Sequence, residues 1–156
     1  MIAQILRALP IVLMICSIAN SLFEVNLTGN WKLNIEKSKF GVLPAPTSRT
    51  VNITHQAPRL KLEIFDEMGT QKRTQIFEYT TDGKRCTNNV RGREFQSTVR
   101  WEGTTLVIET EGIYQDAVFR SIDRWKLSQD QKTITIERDA SNDMGETRQT
   151  LILEKQ

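Results

Sequence analysis

The sequence predicts an all-β domain, an antiparallel up-and-down meander of about eight to ten strands that closes into a barrel or a strongly curved sheet. Three observations carry that expectation. From Thr28 onward, short segments alternate apolar and polar side chains with a period of two, and no stretch keeps a helical period. Turn-forming residues separate the segments at regular spacing, and the one long break is an excursion whose prolines exclude both a central strand and a regular helix.

Ahead of this pattern stands an apolar run over residues 5–18, with Arg7 before a core of Ile11, Val12, Leu13, Met14 and Ile15. It is too short to span a bilayer and is followed by Ser17, Ala19 and Ser21, the small side chains a signal peptidase accepts. Residues 1–21 are therefore expected to be a signal peptide, cut after Ser21 or Ala19, and residues 22–156 the domain. If left uncut, the run acts as an anchor. A lipid anchor on Cys16 would need a small residue before it, where Ile15 stands.

The strands follow in order. Trp31, Leu33 and Ile35 alternate with Lys32, Asn34 and Glu36; Val51, Ile53 and His55 alternate with Asn52 and Thr54; Leu60, Leu62 and Ile64 alternate with Lys61 and Glu63. Such segments are half-buried, one face on a core and one in water. Met68-Gly69-Thr70 separates the third from residues 73–81, and Asp82-Gly83-Lys84 is a hairpin signal that supplies positive φ. Gly103 divides residues 94–101 from 105–110, Gln129-Asp130-Gln131 divides 118–127 from 133–138, and the run from Asn142 to Gly145 precedes a last strand over 147–154.

Between the first two strands, residues 37–48 contain Gly41, Pro44 and Pro46, an excursion of the length at which a loop is usually functional or mobile. Its Phe40, Val42 and Leu43 are expected to fold back on the protein, either as a packed surface loop or across the mouth of a barrel. Closure removes the unpaired edges that a long meander otherwise exposes.

Composition bounds the function. The 156-residue chain carries a net charge of +2, and losing Arg7 leaves +1, so no global field draws the domain to nucleic acid. Trp31, Phe65, Phe77, Tyr79, Trp101 and Trp125 alternate with polar residues at core spacing and read as core, not as base-stacking platforms. With Cys16 in the leader, Cys86 is the one thiol of the domain, so no internal disulfide can form, and it reads as a partly buried apolar residue. The single histidine, His55, rules out a multi-imidazole metal site, and no strained serine elbow accompanies it. Catalytic residues, metal ligands and cofactors are accordingly expected to be none.

The remaining polar features read as solvated surface. Asp66 with Glu67, and Glu109 with Glu111, suit the wet face of strands. Lys84, Arg85, Arg91 and Arg93 form a small basic cluster with no helix behind it, so no phosphate cradle is present. In residues 118–127 both faces carry charge. Phe119, Trp125 and Leu127 are expected in the core with Arg120 and Arg124 outward, which leaves Asp123 on the inner face, where a buried acid needs a partner; the alternative turns Arg120 and Arg124 inward, into a polar cavity able to receive a carboxylate.

Several stretches together carry a resemblance: Gly29-Asn30-Trp31-Lys32-Leu33-Asn34, Lys37-Ser38-Lys39-Phe40-Gly41, Tyr79-Thr80-Thr81-Asp82-Gly83-Lys84, the run from Trp101 to Thr110, and Arg124-Trp125-Lys126-Leu127-Ser128. The chain is similar to small exported bacterial proteins of lipocalin-like (calycin-like) type. Its Gly29 and Trp31 resemble the lipocalin opening motif, in which the tryptophan closes the barrel's base. That resemblance implies a cation from a late strand, Arg138 or Arg148, over Trp31, and ligand binding by analogy of fold. The chain departs from true lipocalins at Thr81-Asp82-Gly83 and has neither their disulfide nor their C-terminal helix. The two-helix lid of fatty-acid-binding proteins, which the strand count and Gly-x-Trp opening also resemble, cannot be built from the proline-bearing excursion.

Taken together these readings give an exported, periplasmic or extracellular, non-enzymatic lipocalin-like domain. It binds a small apolar or amphipathic ligand, with no nucleic-acid partner and no membrane span once the leader is cut. The alternative is a non-catalytic cell-envelope interaction or structural module with a filled core. Inward-facing residues decide between them, with Phe65, Phe77, Phe95, Val99, Ile108 and Trp125 as candidates: large interlocking side chains fill a barrel, small or polar ones leave a pocket.

Overall fold

The computed structural model describes residues 25–114 and 116–156. The expected leader, residues 1–21 with Cys16, lies outside the described residues. Ten strands follow one another: β1 (Gly29–Leu33), β2 (Ser48–Gln56), β3 (Arg59–Met68), β4 (Gln71–Thr80), β5 (Asp82–Val90), β6 (Arg93–Glu102), β7 (Thr105–Tyr114), β8 (Ala117–Leu127), β9 (Thr133–Asn142) and β10 (Gly145–Lys155). They form a single antiparallel sheet in the order β4-β3-β2-β1-β10-β9-β8-β7-β6-β5. The meander is closed between β1 and β10, where Trp31 pairs with Lys155 and Leu33 with Leu153. The sheet curls until its two edges, β4 and β5, meet.

The alternation in the sequence decides which side chains enter the barrel. Trp31, Leu33, Val51, Ile53, Leu60, Leu62, Val99, Leu106, Ile108, Trp125, Ile134, Ile136, Leu151 and Leu153 are all buried in one cluster. Each contributes roughly 1.5–3 kcal/mol of hydrophobic stabilisation when removed from water. The same parity corrects one expected core residue. With Leu60, Leu62 and Ile64 inward, Phe65 turns outward and is 41 % exposed.

One end of the barrel is plugged. Leu27 is buried there, and its carbonyl accepts a hydrogen bond from Trp31 Nε1 at 3.0 Å. The Thr28 hydroxyl donates to the His55 carbonyl at 3.1 Å and accepts from the His55 amide at 3.0 Å. His55 is buried, its ring 5.9 Å from that of Trp101. The Trp31 ring lies beside this plug, and the cation over it is not the expected Arg138 or Arg148 but Lys155, with Nζ 5.4 Å from the ring centroid. Register explains the difference: Lys155 is Trp31's partner, whereas Arg138 and Arg148 are placed farther along their strands beside Asp123 and Asp139.

At the other end β1 is too short to cover its neighbours. The excursion takes over: Asn34 N–H donates to the Ile152 carbonyl at 2.8 Å, and Lys39 and Thr150 exchange backbone bonds at 2.7 and 2.8 Å. Phe40 packs against the core, whereas Val42 and Leu43 stay 84 % and 50 % exposed. Gly41 is required where the loop presses on β10. Its φ is +62°, and an added Cβ would lie 2.6 Å from the Arg148 carbonyl oxygen.

Candidate functional site

Burial along the inward faces declines away from the Trp31 end on seven of the ten strands, β2, β3 and β6 to β10. On β9 it runs from fully buried Ile134 and Ile136 to half-buried Arg138, Ala140 and Asn142. On β10 it runs from Leu153 and Leu151 through Gln149 to half-buried Thr147, and β2, β3, β6, β7 and β8 show the same decline toward the end opposite Trp31. The barrel is therefore a solid core at its base, and its inner face is half-buried toward the other end.

The boundary is polar. Asp123 on β8 and Arg138 on β9 are register partners, and Arg138 donates from Nε and Nη2 to the two Asp123 oxygens at 2.7 and 2.5 Å. The Asp123 side chain is 7 % exposed and that of Arg138 33 %, so the acid is enclosed and the arginine partly covered. The paired carboxylate raises the Arg138 pKa above its ordinary value and keeps it charged. Beside them Tyr79 is pushed up, first by burial and then by the Asp123 charge, so its phenol stays protonated and able to donate. Ser97 and Thr110, on the same wall, share a hydroxyl hydrogen bond of 2.8 Å.

Aromatic side chains frame this patch. Phe77 and Tyr79 stack with centroids 6.0 Å apart, and Phe95 meets Phe119 edge to face at 6.0 Å and 87°. Gly112 lies between those two phenylalanines in register, where a Cβ would fall 2.5 Å from Phe95. The next inward row carries small residues, Ser121, Ala140 and Thr147, side by side in register. A second inward pair, Arg49 with Asp66, closes at 2.6 and 2.9 Å on the facing wall.

The seam between β4 and β5 is held by a side chain. Asn88 accepts from the Glu78 N–H at 2.7 Å and donates to the Glu78 carbonyl at 3.0 Å, reproducing with one amide the two bonds a neighbouring strand would make. Nearer the base, Thr81 N–H donates to the Pro58 carbonyl at 2.7 Å.

Two recesses lie on the outer wall. One of about 850 Å³ is flanked by outward side chains that include Arg85, Glu111, Arg120, Asp139 and Arg148; another of about 610 Å³ adjoins it at Gln96 and Glu111. Several of their charges are already paired, Arg85 with Glu111 and Arg148 with Asp139, which also takes Arg124. Exposed pairs of this kind are screened by water and hold a ligand weakly. The interior patch, with polar groups converging beside aromatic walls, has the make-up of a small-molecule site.

Several residues singled out in the sequence take clear places. Trp125 and Asp123 are buried and Arg120 and Arg124 point outward, as expected, with Phe119 and Leu127 half-buried on the inner face. Glu109 and Glu111 lie on the wet face against Arg100 and Arg85, but Asp66 turns inward to Arg49 while Glu67 meets Lys72 outside. The basic cluster is not assembled: Lys84 and Arg85 start β5 near the base, and Arg91 and Arg93 flank its far turn. Cys86 is half-buried and its thiol faces the Ser97 carbonyl at 3.3 Å. Among the described residues no group of three or more His, Cys, Asp or Glu side chains comes together as a metal site would require.

No protein-family model matches the sequence, and no curated protein matches it. Solved structures do match by fold. Zebrafish ileal bile-acid-binding protein in complex with cholic acid aligns with a TM-score of 0.60 at 13 % identity, over 83 % of this chain and 98 % of that one. A secretory abundant heat soluble protein from Ramazzottius varieornatus gives 0.58 at 12 %, over 83 % and 94 %. Echinococcus granulosus fatty-acid-binding protein 1 gives 0.53 at 15 %, over 82 % and 96 %. At these identities the likeness is one of fold, a calycin-like ten-stranded barrel.

Proposed function

We propose that this protein is an exported, non-catalytic carrier that takes a small amphipathic molecule through the open end of its barrel. One observation carries the reading: on β2, β3 and β6 to β10 the inward face passes from a buried base to half-buried side chains, with Asp123 and Arg138 at the boundary. Such a vessel buries an apolar body against Phe77, Phe95 and Phe119 and meets a polar head at Tyr79 and Arg138. Two of the fold neighbours are named for binding bile acids and fatty acids, which supports a ligand of this general kind. The apolar run at residues 5–18 supports export, and no helix among the described residues is long and apolar enough to cross a membrane.

Nile red, an uncharged environment-sensitive dye, tests the binding reading. Saturable fluorescence enhancement near one dye per protein is expected, together with its loss in Ala140→Trp, which fills the space above the ion pair. Absence of saturable binding, with no molecule co-purifying in native mass spectrometry, refutes it. Export is checked by the mass of the product from its source: loss of 19 or 21 residues is expected, and full-length protein in the cytosol is the contrary result.

The filled base favours a second reading, a structural or interaction module of the cell envelope. Val42, Leu43, Ile113, Val118 and Met144, all exposed at the open end, would supply its contact surface. A dye-negative protein that associates with envelope material through that rim is its signature.

A further inference from the structure

Charge inside the vessel is already cancelled. Arg49 is closed on Asp66 and Arg138 on Asp123, each through two hydrogen bonds from Nε and Nη2 to both carboxylate oxygens. The inward-phase cations of β4 and β6, Arg73 and Arg93, are exposed at the open end, where water screens charge. Donors, by contrast, are left over. Arg138 makes no bond beyond its two to Asp123, which leaves Nη1 unused on a side chain that is one-third exposed. The Tyr79 phenol keeps its proton because burial disfavours the phenolate, but Ser97 already serves it as a hydrogen-bond partner, so the spare donors are those of Arg138 and Trp125. At the next inward position below Asp123, the Trp125 indole N–H is buried with no hydrogen-bond partner.

Building on the interior-binding reading above, we infer that the ligand is an uncharged amphipath bearing an acceptor oxygen, an alcohol, ketone or ester, and that carboxylates are disfavoured. A hydroxyl or carbonyl oxygen satisfies spare donors without bringing charge into the barrel. A carboxylate at the same depth loses its hydration beside Asp123, a like charge, and the one nearby cation is already committed. Held at the rim instead, it would leave its apolar chain half inserted.

The test is competition for bound Nile red at about pH 7.5, where a fatty carboxylate is ionised, between dodecan-1-ol and dodecanoate of equal chain length. The native protein is expected to release dye at dodecan-1-ol concentrations at least about tenfold below those needed for dodecanoate. Asp123→Asn frees the Arg138 guanidinium, so dodecanoate affinity should rise about tenfold or more while that of the alcohol moves less than about threefold. Dodecanoate competing as well as or better than dodecan-1-ol in the native protein overturns the inference and leaves the carrier reading standing. If Asp123→Asn does not fold, that native comparison decides alone. If Nile red itself fails to bind saturably, the carrier reading falls first and this inference with it.

Discussion

Asn88→Ala removes the clasp that joins the two sheet edges, and its cost can be worked from the structure. Two hydrogen bonds to Glu78 are lost, at 2.7 and 3.0 Å, each with a net worth of about 1 kcal/mol. Asn88 is buried, so the Glu78 N–H and carbonyl face a gap that water enters only in part, which adds a fraction of the ~1–3 kcal/mol desolvation penalty. The expected total is roughly 2–3 kcal/mol, or a Tm lowered by about 6–12 °C for a domain of this size. Circular dichroism melts give the Tm, and amide hydrogen exchange locates the effect, because the Glu78 amide should lose protection while amides of β9, in the middle of its sheet half, should not. Asn88→Asp provides the control on mechanism. At neutral pH it keeps the acceptor for the Glu78 N–H but sets a carboxylate against the Glu78 carbonyl, so it should cost at least as much as alanine. A Tm within about 2 °C of native for Asn88→Ala, together with unchanged exchange at Glu78, would refute the argument that this amide closes the seam.

Three further outcomes are expected. Gly112→Ala drives a Cβ to within 2.5 Å of Phe95 and should cost about 1–3 kcal/mol in urea unfolding, with a changed near-ultraviolet signal from the Phe95 and Phe119 pair. Arg138→Met leaves Asp123 enclosed without its partner and should cost about 3 kcal/mol, while the double variant Asp123→Leu/Arg138→Met recovers most of that loss, measured by the same unfolding. The Asp82 carboxyl is held at about 2, against an ordinary 3.8, by Lys84 first and Thr80 second. Because the folded value is the lower one, its contribution is present above about pH 3.8 and fades as pH falls toward 2, so Asp82→Asn should flatten the fall in Tm across that window.

What the sequence disclosed, and what it did not, follows from the range of the interactions involved. Alternation at Trp31, Val51, Leu60 and Trp125 is local, and it assigned those residues to the inner face because period two leaves no other choice. β5 escaped notice beyond its first turn because its inward positions are Cys86 and Asn88, neither of which reads as core. Asn88 is polar there because it stands at the edge of the sheet and bonds β4 through its side chain, a role that no pattern within nine residues announces. Phe65 was misplaced by residue type, although the parity of Leu60, Leu62 and Ile64 already pointed it outward. The Asp123 and Arg138 pair was closer to legible. An inward acid needs a partner, and a tight connection around Gln129-Asp130-Gln131 sets a register that brings position 138 opposite position 123.

The two seams of the upper barrel share a construction that bears on how the vessel works. Near the base, β1 bridges β2 and β10 by backbone ladders, and Trp31, Leu27 and Leu153 lock that junction with fully buried side chains. Toward the open end both junctions change character. Between β4 and β5 the closure is one asparagine amide, and beside β10 it is a loop bridge at Lys39 and Thr150 reinforced by the Ser38 hydroxyl, which accepts from the Ile152 N–H at 3.0 Å. Backbone ladders shielded by a dry core open only with global unfolding, whereas bonds at exposed ends with little apolar burial open locally at far lower cost. Stability is thus concentrated in the half of the barrel with the solid core, and the half with the half-buried inner face is walled by contacts that can part without disturbing the base. The enclosed Asp123 and Arg138 pair sits at the division between them, where a purely apolar core would have continued upward and filled the vessel.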